Sequence, residues 1–312
     1  MLQKDQINAY GLDDWVTEFN EIYGGVNEGR SIDSIWLHAV EHASMLHESL
    51  RIGEYENALS HIADIFCWLC ALTTKAHSEL KTKESLLDIV LCKYPRICFY
   101  CGDKKCSCSV KLGRGLENPI NKQKLTKKAL QRAQKKRTRL HSQGNEPKSL
   151  QEVEEMFRQI YDHINFRTPL EIIMAHFQEE VGEVASCLNN FIDKHEIIIS
   201  DQHQSELERE IADVVTWLIA LTLKLDYMLV GGAIYLIRTR QIPNSTEKLA
   251  KYLKTRSLGI TLSDILWTQF QVPDGDTLWC PSCKERPCKL KLLRRGTTYR
   301  LNSALRDDGE IG

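Results

Sequence analysis

Acidic side chains in the second half of the chain are spaced so that they could gather a metal ion. Glu180 and Glu183 stand three apart, as do Glu210 and Asp213. Residues three or four apart share one face of a helix. If the two segments are helices packed antiparallel, four carboxylates meet beside an apolar stripe. Acids so crowded repel one another, and most must take up a proton unless a cation neutralises them. Oxygen-only ligands suit Mg²⁺ or Mn²⁺, ions that polarise a phosphoryl oxygen and lower the pKa of bound water. If they do not converge, the same acids form an ordinary solvated helix face.

The cysteines offer a second chemistry. Cys98-x2-Cys101-x4-Cys106-x-Cys108 puts four thiols within eleven residues, with Gly102 and Asp103 to turn the chain. That pattern can close a tetrahedral Zn²⁺ site. Cys280-x2-Cys283-x4-Cys288 repeats it, but Leu290 stands where Cys108 would, so the fourth ligand is unknown, with Cys92 one candidate. Structural Zn²⁺ knuckles are the preferred reading for both, beside a nucleic-acid-binding ribbon or an iron–sulfur cluster. Seven of the eleven cysteines fall in these clusters, which suits a reducing cytoplasm better than a disulfide framework. Cys67, Cys70 and Cys187 lie in apolar helical segments and are expected to be buried as small hydrophobes.

The elements that must position these groups occur twice. An offset of 138 pairs Leu12 with Leu150, Phe19 with Phe157, Ile22-Tyr23 with Ile160-Tyr161, His38 with His176 and Glu41 with Glu179. Eleven extra residues in the second copy, around HEIIISDQHQS, move the offset to 149. There HIADIFCWLCALTTK (61–75) lies on EIADVVTWLIALTLK (210–224), and each copy ends in a cysteine cluster. The duplication is the firmest inference from the residues alone. Each copy reads as amphipathic helices. Ser149 to Glu152 is a capping-box pattern, Pro169 opens a helix that runs to about 190, and Ser31 is the matching start in the first copy. Ile173, Phe177, Val181, Val184 and Leu188 form its apolar stripe, and a second helix over about 205–225 buries Ile211, Val214, Val215 and Leu218. The fold class expected is all-α, with the two copies packed as a pseudo-dimeric four-helix-bundle core.

EEVGEVA at 179–185 followed by EIAD at 210–213 resembles the EExxE…ExxD signature of MazG-type nucleotide pyrophosphohydrolases. The resemblance covers about 150–228 and, more weakly, 12–75. It implies cleavage of an NTP or dNTP between the α- and β-phosphates to NMP and pyrophosphate. It implies that Glu180, Glu183, Glu210 and Asp213 bind Mg²⁺ and that Glu179, with Glu180, serves catalysis as a ligand or by orienting water. Lys224 and His176 are candidate substrate contacts, although a solvated helix-end lysine and a structural histidine are the plainer readings. The first copy departs from the signature: His42 replaces Glu180, Met45 replaces Glu183 and His61 replaces Glu210, while Glu41 and Asp64 remain. His42, His61 and Asp64 could form a transition-metal site, but erosion with retained packing is preferred.

The organisation expected is a degenerate repeat at 1–92, a four-cysteine zinc knuckle at 93–110, a basic linker at 111–149, the intact repeat at 150–270, and a second knuckle with a C-terminal tail at 271–312. The linker carries twelve Lys or Arg against Glu117 and Glu146. It reads as a polar helical or partly disordered linker, or a contact for nucleic acid or polyphosphate. With 42% hydrophobic and 27% charged residues over 312 positions, a sizeable core can form. No run of about 18 apolar residues reads as a membrane span, and MLQKDQINAY lacks the apolar stretch of a secretory signal. A cytoplasmic enzyme without a membrane partner is therefore expected. Self-association as a homo-oligomer is left open, because the tandem copies could satisfy the pairing internally. The competing class is a zinc-stabilised nucleotide- or nucleic-acid-binding regulatory protein without turnover.

Overall fold

Side-chain caps set the helix starts where the sequence places them. Ser31 Oγ accepts from the Ser34 N–H at 3.2 Å, and Ser149 Oγ accepts from the Glu152 N–H at 3.2 Å. The Glu152 carboxylate reaches back to the Lys148 N–H at 2.8 Å, one residue before the cap. The computed structural model describes residues 7–82, 84–111, 119–193, 196–197, 200–238, 260–271 and 277–289. Their helices are α1 (Leu12–Asn27), α2 (Ile32–Ile52), α3 (Tyr55–Glu79), α4 (Leu86–Lys93), α5 (Cys108–Lys111), α6 (Pro119–Ser142), α7 (Leu150–Asn165), α8 (Leu170–Asn190), α9 (Asp201–Arg238) and α10 (Leu262–Phe270). One antiparallel pair of two-residue strands, β1 (Ile192–Asp193) and β2 (Glu196–Ile197), sits between α8 and α9 within the extra residues of the second half. The fold is all-α. The tail at 290–312, with Leu290, lies outside the described residues, as do 239–259 within the second repeat.

The apolar stripe on α8 is buried as the periodicity requires, with Ile173, Phe177 and Val184 at zero exposure. Ile211, Val214, Val215 and Leu218 of α9 face it. This helix is longer at both ends than the expected 205–225. Two helix pairs dominate the packing: α2 with α3, and α8 with α9. Gly53 closes α2 in the left-handed region, at φ +80°, so the chain reverses at once into α3. The register of each pair is fixed by a stacked imidazole and indole. His38 lies on Trp68 at 4.6 Å and 18°, and His176 on Trp217 at 4.9 Å and 17°.

Further contacts recur in pairs across the two halves. Lys75 Nζ donates to the Glu28 carbonyl at 2.9 Å, capping the end of α1. Lys224 Nζ donates to the Phe166 carbonyl at 3.0 Å, capping the end of α7. The residues 85–94, SLLDIVLCKY, and 261–270, TLSDILWTQF, take the same capped-helix form, α4 and α10. Their extensive partners lie in the opposite half: α4 packs on α9, and α10 packs on α3. Tyr94 meets Phe157 edge-on at 5.4 Å, and Phe270 meets Phe19 edge-on at 4.9 Å. One hydrophobic core thus runs through both halves, joined also by the Trp36 Nε1–H donating to the Val181 carbonyl at 3.1 Å.

Within the basic segment read as a linker, Pro119–Ser142 forms α6, which docks on α4, while 112–118, with Glu117, lie outside the described residues. Ala129, Ala133 and Leu140 are buried along it. Arg137 turns inward to the carboxylates of Glu84 and Asp88, both at 2.6 Å, and to Cys92 Sγ at 2.7 Å. Its burying residues are small, so the helix carries little apolar signal. Among the described residues no helix is long and apolar enough to cross a membrane.

A core shared between halves has a measurable signature. Phe66 and Phe177 are fully buried on α3 and α8. Phe66→Ala and Phe177→Ala are each expected to cost about 3–5 kcal/mol. Each should shift a single urea transition followed by both tryptophan fluorescence and circular dichroism; two separated transitions would contradict the shared core.

Candidate metal centres

The antiparallel register of α8 and α9 brings acids from both helices to one place. One oxygen from each of Glu180, Glu210 and Asp213 lies within 4.8 Å of the other two. Glu183, one turn after Glu180, is exposed and does not join that set, although its charge adds to the rise of the Glu210 carboxyl. Burial, then the neighbouring Asp213 charge, pushes the Glu180 carboxyl up to about 8, with Lys93 opposing. Burial likewise pushes Glu210 up to about 7, against Lys93 and with Asp213 and Glu183. Both shifts are the expected response of carboxyls that share a half-dry space.

Asp213 is buried and has partners that the sequence reading does not include. Lys93 Nζ makes an ion pair with one of its oxygens, and the Tyr94 hydroxyl donates to the other at 2.5 Å. Both come from the end of α4, in the other half of the chain. Lys93 also donates to the Arg209 carbonyl at 3.4 Å. A lysine at the end of an eight-residue helix ordinarily reads as solvated. The signal that could have found it is the pairing of 85–94 with 261–270, where Gln269 and Phe270 replace Lys93 and Tyr94. The charged pair therefore reaches the acid-rich half, and the uncharged pair reaches the other.

The remaining candidates sit outside this cluster. Glu179 is exposed at the helix surface, 3.3 Å from His176 Nδ1. His176 stacks on Trp217, and His38 makes the same stack and the same 3.3 Å contact to Glu41. Lys224 caps α7 and lies eleven residues beyond Asp213, about 16 Å along the helix.

The first half holds a counterpart at the corresponding positions. His42 Nδ1 lies 3.3 Å from His61 Nδ1 and 3.3 Å from Asp64 Oδ2. Burial, and then the His61 charge, pushes His42 down to about 4, and burial pushes Asp64 up to about 7. Met45, in the place of Glu183, is exposed. Comparison with protein-family models, with curated proteins and with solved structures yields no significant match. A cleft of 380 Å³ opens in the first half, lined by Phe19, Asn20, Tyr23, Cys67 and Lys75 among others, and no carboxylate of the second-half cluster lines it.

Each cysteine cluster is a turn seated on the first helix of the opposite half. Cys98 N–H donates to the Asp103 carbonyl and Gly102 N–H to the Cys98 carbonyl. Cys280 and Lys284 repeat those two bonds, the first to Glu285. Gly102 sits at φ +76° close against the Arg132 side chain, a backbone conformation that favours glycine, although Lys284 adopts it at φ 56° in the second turn. Cys106 N–H donates to the Ile160 carbonyl of α7 at 2.8 Å, and Cys288 N–H to the Ile22 carbonyl of α1 at 2.7 Å. Arg286 clamps the second turn to Glu18 and Glu21.

Sγ atoms of Cys98, Cys101, Cys106 and Cys108 lie within 4.8 Å of one another, as do those of Cys280, Cys283 and Cys288. Cys98–Cys108 and Cys283–Cys288 are both 3.5 Å apart. Thiolates on a tetrahedral Zn²⁺ at about 2.3 Å stand roughly 3.8 Å from one another, so both sets fit a structural metal. Hydrogen bonds from Cys106 and Cys108 hold the Cys98 thiol far below its ordinary value. Cys92 is engaged by Arg137 on the α4–α6 face and does not join the second cluster. Cys70 and Cys187 are buried, and Cys67 is half-buried.

Two outcomes follow. Glu180 and Glu210 have folded-state values above the ordinary 4.5, so the stability they contribute is full below about 4.5 and lost as pH rises through about 7 to 8. The melting temperature of the chelator-treated chain should fall across that window, and Glu210→Gln should flatten the slope. An unchanged slope would remove these carboxyls as its cause. For the thiols, metal analysis of the purified chain should find Zn²⁺, with Cys101→Ser losing one equivalent and melting at lower temperature.

Proposed function

We propose that the chain is a Mg²⁺-dependent nucleotide pyrophosphohydrolase of the MazG type, with one intact and one altered carboxylate site in a tandem, pseudo-dimeric bundle. The observation that carries this reading is the convergence of Glu180, Glu210 and Asp213 on two antiparallel helices. The paired contacts across the halves support the duplication.

The donor set fits the ion. All four groups are hard oxygen ligands, and the raised Glu180 and Glu210 carboxyls are those a dication would relieve. Glu180, Glu183 and Glu210 would hold it together with the free lone pairs of Asp213. When bound, Mg²⁺ or Mn²⁺ supplies phosphoryl polarisation and a more acidic water. Lys93 and Tyr94 each hold one oxygen of the Asp213 carboxylate, so its orientation does not depend on the ion. Glu179, exposed outside the cluster and held by His176, would serve only by orienting a water or as a further ligand. The substrate class is an NTP or dNTP, cleaved to NMP and pyrophosphate.

A second reading has its own observation. On α6, Lys128, Lys135 and Arg139 are exposed on one face, opposite buried Ala129, Ala133 and Leu140. A basic stripe beside zinc-type turns suits a binding protein for nucleic acid.

Incubating the purified chain with each NTP and dNTP and Mg²⁺, and measuring pyrophosphate, separates the two. Turnover is expected, falling by about two orders of magnitude or more in Glu180→Gln and Glu183→Gln chains that keep their melting temperature. Absence of turnover with every nucleotide, together with tight salt-sensitive binding of nucleic acid, would replace this reading with the second.

A further inference from the structure

The first half contains a cluster that the proposed reaction does not use. His42 projects from α2, and His61 and Asp64 from successive turns of α3. These three positions correspond to Glu180, Glu210 and Asp213 in the second half. From the sequence alone, replacement of two glutamates by histidine reads as loss of a site. The replaced side chains nevertheless still converge: their ligand atoms lie within 4.8 Å of one another.

The separations have a specific value. His42 Nδ1 is 3.3 Å from His61 Nδ1 and 3.3 Å from Asp64 Oδ2. Two ligands on a tetrahedral ion at 2.0–2.1 Å stand about 3.3 Å apart, so both distances match one edge of that tetrahedron. Hydrogen bonding alone serves the three atoms poorly. His42 Nδ1 carries at most one proton, which cannot be directed at both neighbours, and as an acceptor it would face the carboxylate lone pairs. A cation at the centre satisfies all three with their lone pairs.

We propose that His42, His61 and Asp64 form a binding site for a borderline divalent transition metal of the Zn²⁺ kind, with a fourth position open to water. Imidazole moves a site's preference from Mg²⁺ towards Zn²⁺, Ni²⁺, Fe²⁺ and Cu²⁺. One backbone frame thus presents hard oxygen donors in one half and a nitrogen-rich set in the other, and the two halves select different ions. The side chains of His42 and Asp64 are 20% and 26% exposed, which leaves an entry for ion and solvent. Two neighbouring contacts hold the frame before metal arrives. His38 stacks on Trp68, and Arg30 Nη1 lies 2.8 Å from His38 Nε2. Three protein ligands with one solvent position is the composition of an open zinc site rather than a closed structural one.

The test is NMR of the full-length reduced chain, labelled with nitrogen-15 at histidine and titrated with cadmium-113 as the probe ion. After the thiolate-bound cadmium resonances saturate, a further resonance is expected upfield, in the range of nitrogen and oxygen ligation. The ring nitrogens of His42 and His61 should shift with it. That resonance should vanish in His61→Ala and Asp64→Asn and persist in Glu180→Gln, which separates it from the carboxylate centre. The wild-type ring shifts decide the matter even if a variant fails to fold. Rings of His42 and His61 that stay unmoved by cadmium in excess over the thiolate sites overturn the proposal. So does an upfield resonance that survives in folded His61→Ala.

Discussion

Three carboxylates cannot all stay charged in a half-buried space unless positive charge is brought among them. In the second half of this chain that charge is delivered by the opposite half. Lys93 stands at the end of α4 because α4 crosses over to lie on α9, and its ammonium meets Asp213 with the Tyr94 hydroxyl alongside. Removing one partner of a buried pair leaves an uncompensated charge, at a cost of about 3–5 kcal/mol. The crossing of the last helix of each half is therefore tied to the electrostatics of the centre. Burial first, and then their acidic neighbours, raises the Glu180 and Glu210 carboxyls, and Lys93 offsets only part of this, so a dication has something to gain there.

The two halves keep packing and vary chemistry. The imidazole–indole stack, the lysine cap on the first helix, the edge-on aromatic contact and the thiol-bearing turn are each made twice. At the positions between these contacts the side chains diverge. Glu180 corresponds to His42, Glu210 to His61, and Lys93 and Tyr94 to Gln269 and Phe270. Gln269 takes the Ser60 hydroxyl at 3.0 Å, a neutral contact beside a centre that carries one acid instead of three. The helix that crosses over is thus matched in charge to the cluster it meets.

The helices and the two antiparallel pairs were legible because their signals are local. Ser31 and Ser149 cap where a hydroxyl precedes an apolar stripe, and Phe177 and Val184 recur at helical spacing. Convergence of Glu180, Glu210 and Asp213 followed from spacing once the helices were set antiparallel, whereas Glu183, expected with them, stays outside the set. The Lys93–Asp213 pair was not legible, since it spans 120 residues and depends on which half α4 chooses. The docking of α6 was hidden for a different reason. Alanines at 129 and 133 bury a helix closely while adding almost nothing to its apolar periodicity, and Arg137, read as one more linker cation, is turned inward.

The exchange of end helices also sets a timetable for biosynthesis. Helix α3 is complete at residue 79, but α10, which covers it, begins only at residue 262. At roughly 5–20 residues per second, the ribosome leaves the apolar flank of α3 without its partner for about 10–40 s. The first half must spend that interval partly assembled, guarded by its own α1 and α2, until α10 emerges to close it.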